Sequence, residues 1–142
     1  MPNEVTSKRA SWGFALLLSV IAGIAFAGMT ISGWIHGWEA RVALAIFLAL
    51  GVLVVRQSPH RPVPHGFVIG FLSALIAIEL QAAFLPIYFA NNPGYALIEI
   101  PFGLPARLAT AIFAPIHAAL GGLLTAGIVW LLGKFWCRGL SL

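Results

Sequence analysis

The chain has 142 residues, 61% of them hydrophobic and only 8% charged, with a net charge of +4. A soluble domain is about a quarter charged and under half apolar, and a short soluble chain buries only part of its surface, so this composition excludes an ordinary water-soluble fold and points to a bilayer as the solvent. The positive charge does not indicate a nucleic-acid partner either, because the eight Lys and Arg residues stand in ones and twos at the ends of apolar runs and form no basic stripe.

The first apolar run extends over about residues 11–35 and follows Lys8 and Arg9. It begins like a signal peptide and contains Ala25-Phe26-Ala27, a small-residue cleavage pattern. It stays apolar beyond that point, so it reads as an uncleaved anchor long enough to span. The second run, 40–56, has an uncharged centre from Val42 to Val55 between Arg41 and Arg56. Fourteen helical residues cover only about 21 Å of a roughly 30 Å hydrocarbon core. Extension through Trp38 and past Arg56, with snorkelling arginines, lets this segment cross; a re-entrant or buried helix is the alternative. The third run, 66–89, carries Glu79, Gln81 and Pro86, and the fourth, 107–133, carries Pro115 and His117. Prolines are tolerated in membrane helices, where neighbouring groups satisfy the freed carbonyls and kinks result.

The predicted fold is an all-α integral membrane protein, one domain over 1–142, with four transmembrane helices in an antiparallel bundle. An N-terminus inside places Lys8, Arg9, Arg56, Arg61, Lys134 and Arg138 on the cytoplasmic side and only Arg41 and Arg107 outside, so both termini are expected in the cytoplasm of a bacterial inner membrane. Trp12, Trp130 and Trp136 then mark the inner interface, and Trp34, Trp38, Tyr88 and Tyr95 the outer one. Small residues recur every fourth position at Ala15, Ser19, Gly23 and Ala27, at Ala114, Ala118, Gly122 and Ala126, and at Gly66, Gly70 and Ala74. Lipid offers helices no hydrophobic reason to associate, so such stripes favour close packing inside one bundle, or against a second copy or a larger membrane subunit.

The connections differ in character. The short one at Ile35–Arg41 makes the first two helices antiparallel neighbours, and the proline-rich one from Gln57 to His65 reads as extended. The longest, Ala90–Arg107, contains Asn91-Asn92-Pro93-Gly94 and is too apolar for a plain aqueous loop, which suits a segment lying on the outer interface or over the mouth of the bundle.

The candidate chemistry centres on Glu79. An ionisable group in hydrocarbon costs a few kcal/mol and needs a compensating reason. Residue counting places His117 at a similar depth on an antiparallel helix, so the two are a candidate pair for sharing a proton or holding a cation. The structural alternative is a neutral pair, or a protonated Glu79 bonded to a carbonyl near a proline, serving as glue between helices. Gln81 and Thr110, with Ser73 and Thr125, are candidates for extending a polar path; Gln81 lies on a different face from Glu79, and Ser and Thr also bond back to their own helix.

Other chemistries lack their parts. His60 and His65 stand five apart with no Cys or Asp to complete a metal site, and His117 alone cannot supply both axial ligands of a haem, so no metal and no cofactor is expected. Aspartate is absent, and neither a nucleophile elbow nor a phosphate-binding glycine loop occurs, which weighs against an enzyme. The one cysteine, Cys137, can form no internal disulfide and reads as a free interfacial thiol.

In plan the chain resembles the small multidrug exporters, four-helix dimers with one membrane glutamate. Their glutamate lies on the first helix and Glu79 lies on the third, and the charge bias opposes dual insertion, so membership is not assigned. The expectation is a non-enzymatic accessory or structural membrane subunit; the alternative is a small proton-coupled transporter or channel-like protein working through Glu79 and His117.

Overall fold

The computed structural model describes residues 12–57, 62–97, 100 and 103–139, and of 136–139 only the backbone. The described residues form helices without strands: α1 (Trp12–Ile31), α2 (Glu39–Gln57), α3 (Pro62–Ala83), α4 (Leu85–Asn91), α5 (Pro93–Ala96) and α6 (Ala106–Gly139). Three of them, α1, α3 and α6, are long and apolar enough to cross a membrane. His60, Arg61 and the first eleven residues lie outside the described part, as do the side chains of Trp136, Cys137 and Arg138.

The burial pattern is that of a bundle solvated by lipid. Along α1 the buried residues are Ala15, Ser19, Gly23, Ala27 and Thr30, while Leu16, Leu17, Val20, Ile21 and Ile24 point outward. Large apolar side chains outside and small ones inside are what close backbone approach in hydrocarbon requires. The small face of α1 lies on α3: a Cβ on Gly23 would come within 2.8 Å of both the Ser73 carbonyl and Ile76 Cβ. The most intimate pair is α3 with α6. Gly66 meets Val129, Gly70 meets Thr125 and Gly121, and Gly122 meets Phe67. The expected stripes are therefore used within the bundle, and they set its order, α1–α3–α6–α2.

Several local expectations are revised. The first two helices are joined by a tight turn but scarcely pack on each other; α2 leans instead on α6, where Leu50, Gly51 and Val54 are buried and Gly51 faces Ile128. The turn explains the geometry. Gly33 and Gly37 both adopt positive φ, and Gly33 N–H donates to Thr30 O while Trp34 N–H donates to Met29 O, the paired bonds of a Schellman stop. This ends α1 abruptly and turns the chain before α2 can align with it. The α2 helix starts at Glu39 and runs for nineteen residues, roughly 28 Å, so the extension past both arginines does occur. The predicted extended segment is helical at both described ends: Gln57 closes α2, and Pro62 to His65 form the first turn of α3, with Pro62 at a position where its missing N–H costs nothing and His65 buried and stacked on Trp12 at 4.3 Å.

The third apolar run does not stay a single helix to 89. It breaks at Phe84, and Pro86 opens the short helix α4. Pro86 cannot donate to the carbonyl four residues back, Ala82. Arg107, in the first turn of α6, fills the gap: its Nε donates to Ala82 O at 2.9 Å and its Nη2 to Ala83 O at 2.6 Å. A cation at a helix C-terminus also suits the helix dipole.

Candidate functional site

Two features lie where α1, α3 and α6 come together: a polar cap at the Gly33 end and a cavity beneath it. The cap begins at Thr30, in the last turn of α1. Its hydroxyl bonds back to Phe26 O and Ala27 O and accepts a hydrogen bond from Gln81 Nε2 at 2.8 Å. Asn92, between α4 and α5, is fully buried. Its Nδ2 donates to Thr30 O and to Tyr88 O, both at 2.9 Å, which fixes the amide and leaves Oδ1 as an acceptor for His36 Nδ1, 3.0 Å away. His36 must therefore carry its proton on Nδ1. Glu39 Oε1 lies 3.8 Å from the same nitrogen. Next to it, Asn91 Nδ2 donates to Ile31 O at 2.8 Å. The segment after α3 is thereby tied down over the end of α1.

Two tyrosines complete the cap. Tyr88 and Tyr95 stack at 5.7 Å, and the Tyr95 edge meets His36. Burial, then Tyr95, then Glu39 push the Tyr88 hydroxyl up to about 12. Tyr95 is raised as well, by burial first and then by the neighbouring Glu39 carboxylate. Both phenols resist ionising, so the cap is built for their neutral forms.

Below the cap lies a partly open cavity of about 300 Å³ lined by all four long helices. Its walls are apolar, including Phe26, Phe47 and Leu120, with Ser73, Gln81 and His117 as the polar exceptions. Gln81 belongs to both features, lining the cavity and holding Thr30 in the cap. His117, exposed at the rim, donates from Nδ1 to Phe113 O at 2.9 Å.

The two residues singled out as a pair are thus placed differently. His117 lines the cavity; Glu79 does not. Glu79 is exposed on α3, roughly opposite the Gly70 position that packs on α6. Among the described residues no hydrogen bond or ion pair joins them. Gln81 faces inward, two residues from an outward Glu79, as the helical spacing requires. Thr110 bonds back to Ala106 O at 2.9 Å, and Ser19, Ser73 and Thr125 do likewise on their own helices. No group of three or more metal-ligating side chains gathers among the described residues.

The cap is not legible in the sequence. His36 and Glu39 belong to no motif, Asn92 reads only as a turn former, and Arg107 only as a charge. The available signal is the clustering of His36, Glu39, Asn91 and Asn92 at the ends of predicted spans, where chain reversals leave backbone groups without helical partners. Comparison with known protein families, with curated proteins and with solved structures finds no significant match.

Proposed function

We propose that α1, α2, α3 and α6 all cross the membrane, that both termini face the cytoplasm of a bacterial inner membrane, and that the protein is a non-enzymatic accessory or structural subunit. The roughly 28 Å length of α2 supports the fourth crossing, as does the stacking of Arg41 over Trp38 at its start, 4.4 Å from the ring centre. The six-to-two distribution of basic residues supports the orientation.

The observation that carries the accessory role is the contrast between Glu79 and the other polar groups. Thr30, Gln81, Asn92 and Arg107 hold elements of the bundle together. Glu79 instead stands on the outward face of α3, about 26 Å from its start and 6 Å from its end. A carboxyl facing lipid is costly unless something compensates it, and a donor on an adjoining membrane protein does so. The small-residue stripes are used internally, which leaves this outward face as the surface for a larger membrane partner. The test is mild solubilisation from native membranes. The wild type is expected to migrate in a larger assembly that Glu79→Leu disrupts, with the variant still inserted and helical. An unassembled wild type would overturn the reading.

A second reading rests on His117 at the rim of the cavity. A titratable side chain beside a central cavity suits a small proton-coupled transporter, with Glu79 as a second protonation site. Pure protein in liposomes would then carry a proton flux lost in Glu79→Gln and in His117→Gln; a flux equal to that of protein-free liposomes would eliminate it.

A further inference from the structure

The cavity has a polarity and a size that specify a ligand. Its volume of about 300 Å³ is twice that of a roughly 150 Å³ apolar cavity that takes up benzene, and it falls at the lower end of the range for small-molecule sites. The space exists because positions 22, 43, 74 and 77, one or two from each of α1, α2 and α3, are alanine. No Lys, Arg, Asp or Glu lines it, so an ionised guest would lose its hydration without a counter-charge.

The hydrogen-bonding inventory narrows the guest further. Ser73 gives its proton to Ile69 O. The Gln81 amide nitrogen donates to Thr30, which leaves the side-chain carbonyl as an acceptor. His117 donates from Nδ1 to Phe113 O, so its remaining nitrogen, Nε2, accepts in the neutral ring. Two acceptors in an apolar chamber call for a donor. Entry is lateral, since α1 and α2 scarcely touch beyond their turn and the cavity lies between them.

We propose that this cavity binds a small uncharged amphiphile, an apolar body bearing one hydroxyl, of the size of a medium-chain alcohol or an alkylphenol, with the hydroxyl donating to Gln81 or His117. The assignment is independent of the accessory role.

The experiment uses the full chain in lipid nanodiscs and two photoreactive probes of equal length, a decanol and a decane, at equal mole fraction in the bilayer. The alcohol is expected to label peptides containing Phe26, Phe47 and Leu120 about three- to tenfold more than the alkane does, as one net hydrogen bond implies, with unlabelled decanol competing. Loss of the acceptor in use, in His117→Leu or in Gln81→Leu, should weaken alcohol labelling by a similar factor and leave alkane labelling unchanged, while Phe135→Leu, exposed and outside the cavity, changes neither. Ala43→Phe fills the chamber and should abolish labelling by both. The contrast between the probes in the wild type needs no variant, so a poorly folded Ala43→Phe does not blunt the test. Equal labelling by alcohol and alkane, which marks a crevice holding lipid tails only, overturns the proposal; so does alcohol labelling that is unchanged in both His117→Leu and Gln81→Leu.

Discussion

Gly70→Ala tests whether the α3–α6 contact is the tightest joint in the bundle. The added Cβ would lie 2.5 Å from the Gly121 carbonyl oxygen and 2.7 Å from Thr125 Cβ, with Thr125 Oγ1 nearer still. None of these can move cheaply. Gly121 O belongs to the backbone of α6, and Thr125 Oγ1 is pinned by its 2.9 Å hydrogen bond to that same carbonyl. The helices must part, at an overpacking cost of about 1–3 kcal/mol. Against this, alanine gains about 1 kcal/mol over glycine in helix propensity. Gly127→Ala isolates the second effect, because nothing lies within 4 Å of its new Cβ. The two variants should therefore differ by the packing cost alone, roughly 5- to 150-fold in the folding equilibrium. Reversible unfolding in mixed micelles of mild and denaturing detergent, followed by circular dichroism, measures the difference. Thr125→Ala in the Gly70→Ala background should restore only part of it, since the Gly121 carbonyl remains in the way. Equal stability of Gly70→Ala and Gly127→Ala would refute the packing argument.

Removing the Arg107 side chain uncovers the carbonyls of Ala82 and Ala83, so Arg107→Ala should cost about 1–3 kcal/mol in the same assay. Pro86→Ala should recover part of that loss by returning an N–H to Ala82 O; additivity of the two changes would argue against the shared carbonyl. Asn92→Leu deletes a buried amide with three partners and should speed amide exchange at residues 30–36 and 88–95 while α3 and α6 stay protected; uniform exchange would show that the cap is not a separate unit. The raised phenol of Tyr88 predicts a stability that is full below its unfolded value of 10.0 and falls as the pH climbs towards about 12, because the folded state binds the proton more tightly. A tyrosinate absorbance titration should show a late component that disappears in Tyr88→Phe.

The helical class, the three long apolar helices and the small-residue stripes were legible because they depend on local composition and a period of 3.6. Gly66 and Gly70 could be recognised as a packing face before their partners were known. The pairing of Glu79 with His117 rests on depth, which residue counting supplies. It also needs the rotation of each helix about its own axis, and that is set by Thr125 fitting Gly70 and by Ser73 facing Gly23. The different faces of Gln81 and Glu79 are legible because two residues along one helix fix a difference in angle without reference to any other helix. The cap was illegible for a different reason. Asn92 and Thr30 are sixty-two residues apart, and nothing near either one in the chain names the other.

The distance in sequence between the halves of the cap has a consequence for biosynthesis. When α1 and α2 have left the ribosome, they share little beyond the glycine turn at Gly33. The Gln81 amide that binds Thr30, and the Asn91 and Asn92 amides that seal the end of α1, are still to be synthesised. The first two helices must wait as a loosely associated pair, with the hydroxyls of Ser19 and Thr30 closed onto their own helix by back-bonding. Arrival of α3 gives α1 its partner, and α6 then recruits α2 and delivers Arg107 to the break before α4. The last helix made is the one on which the position of the second chiefly depends, so truncation before α6 should leave α2 without its main docking surface.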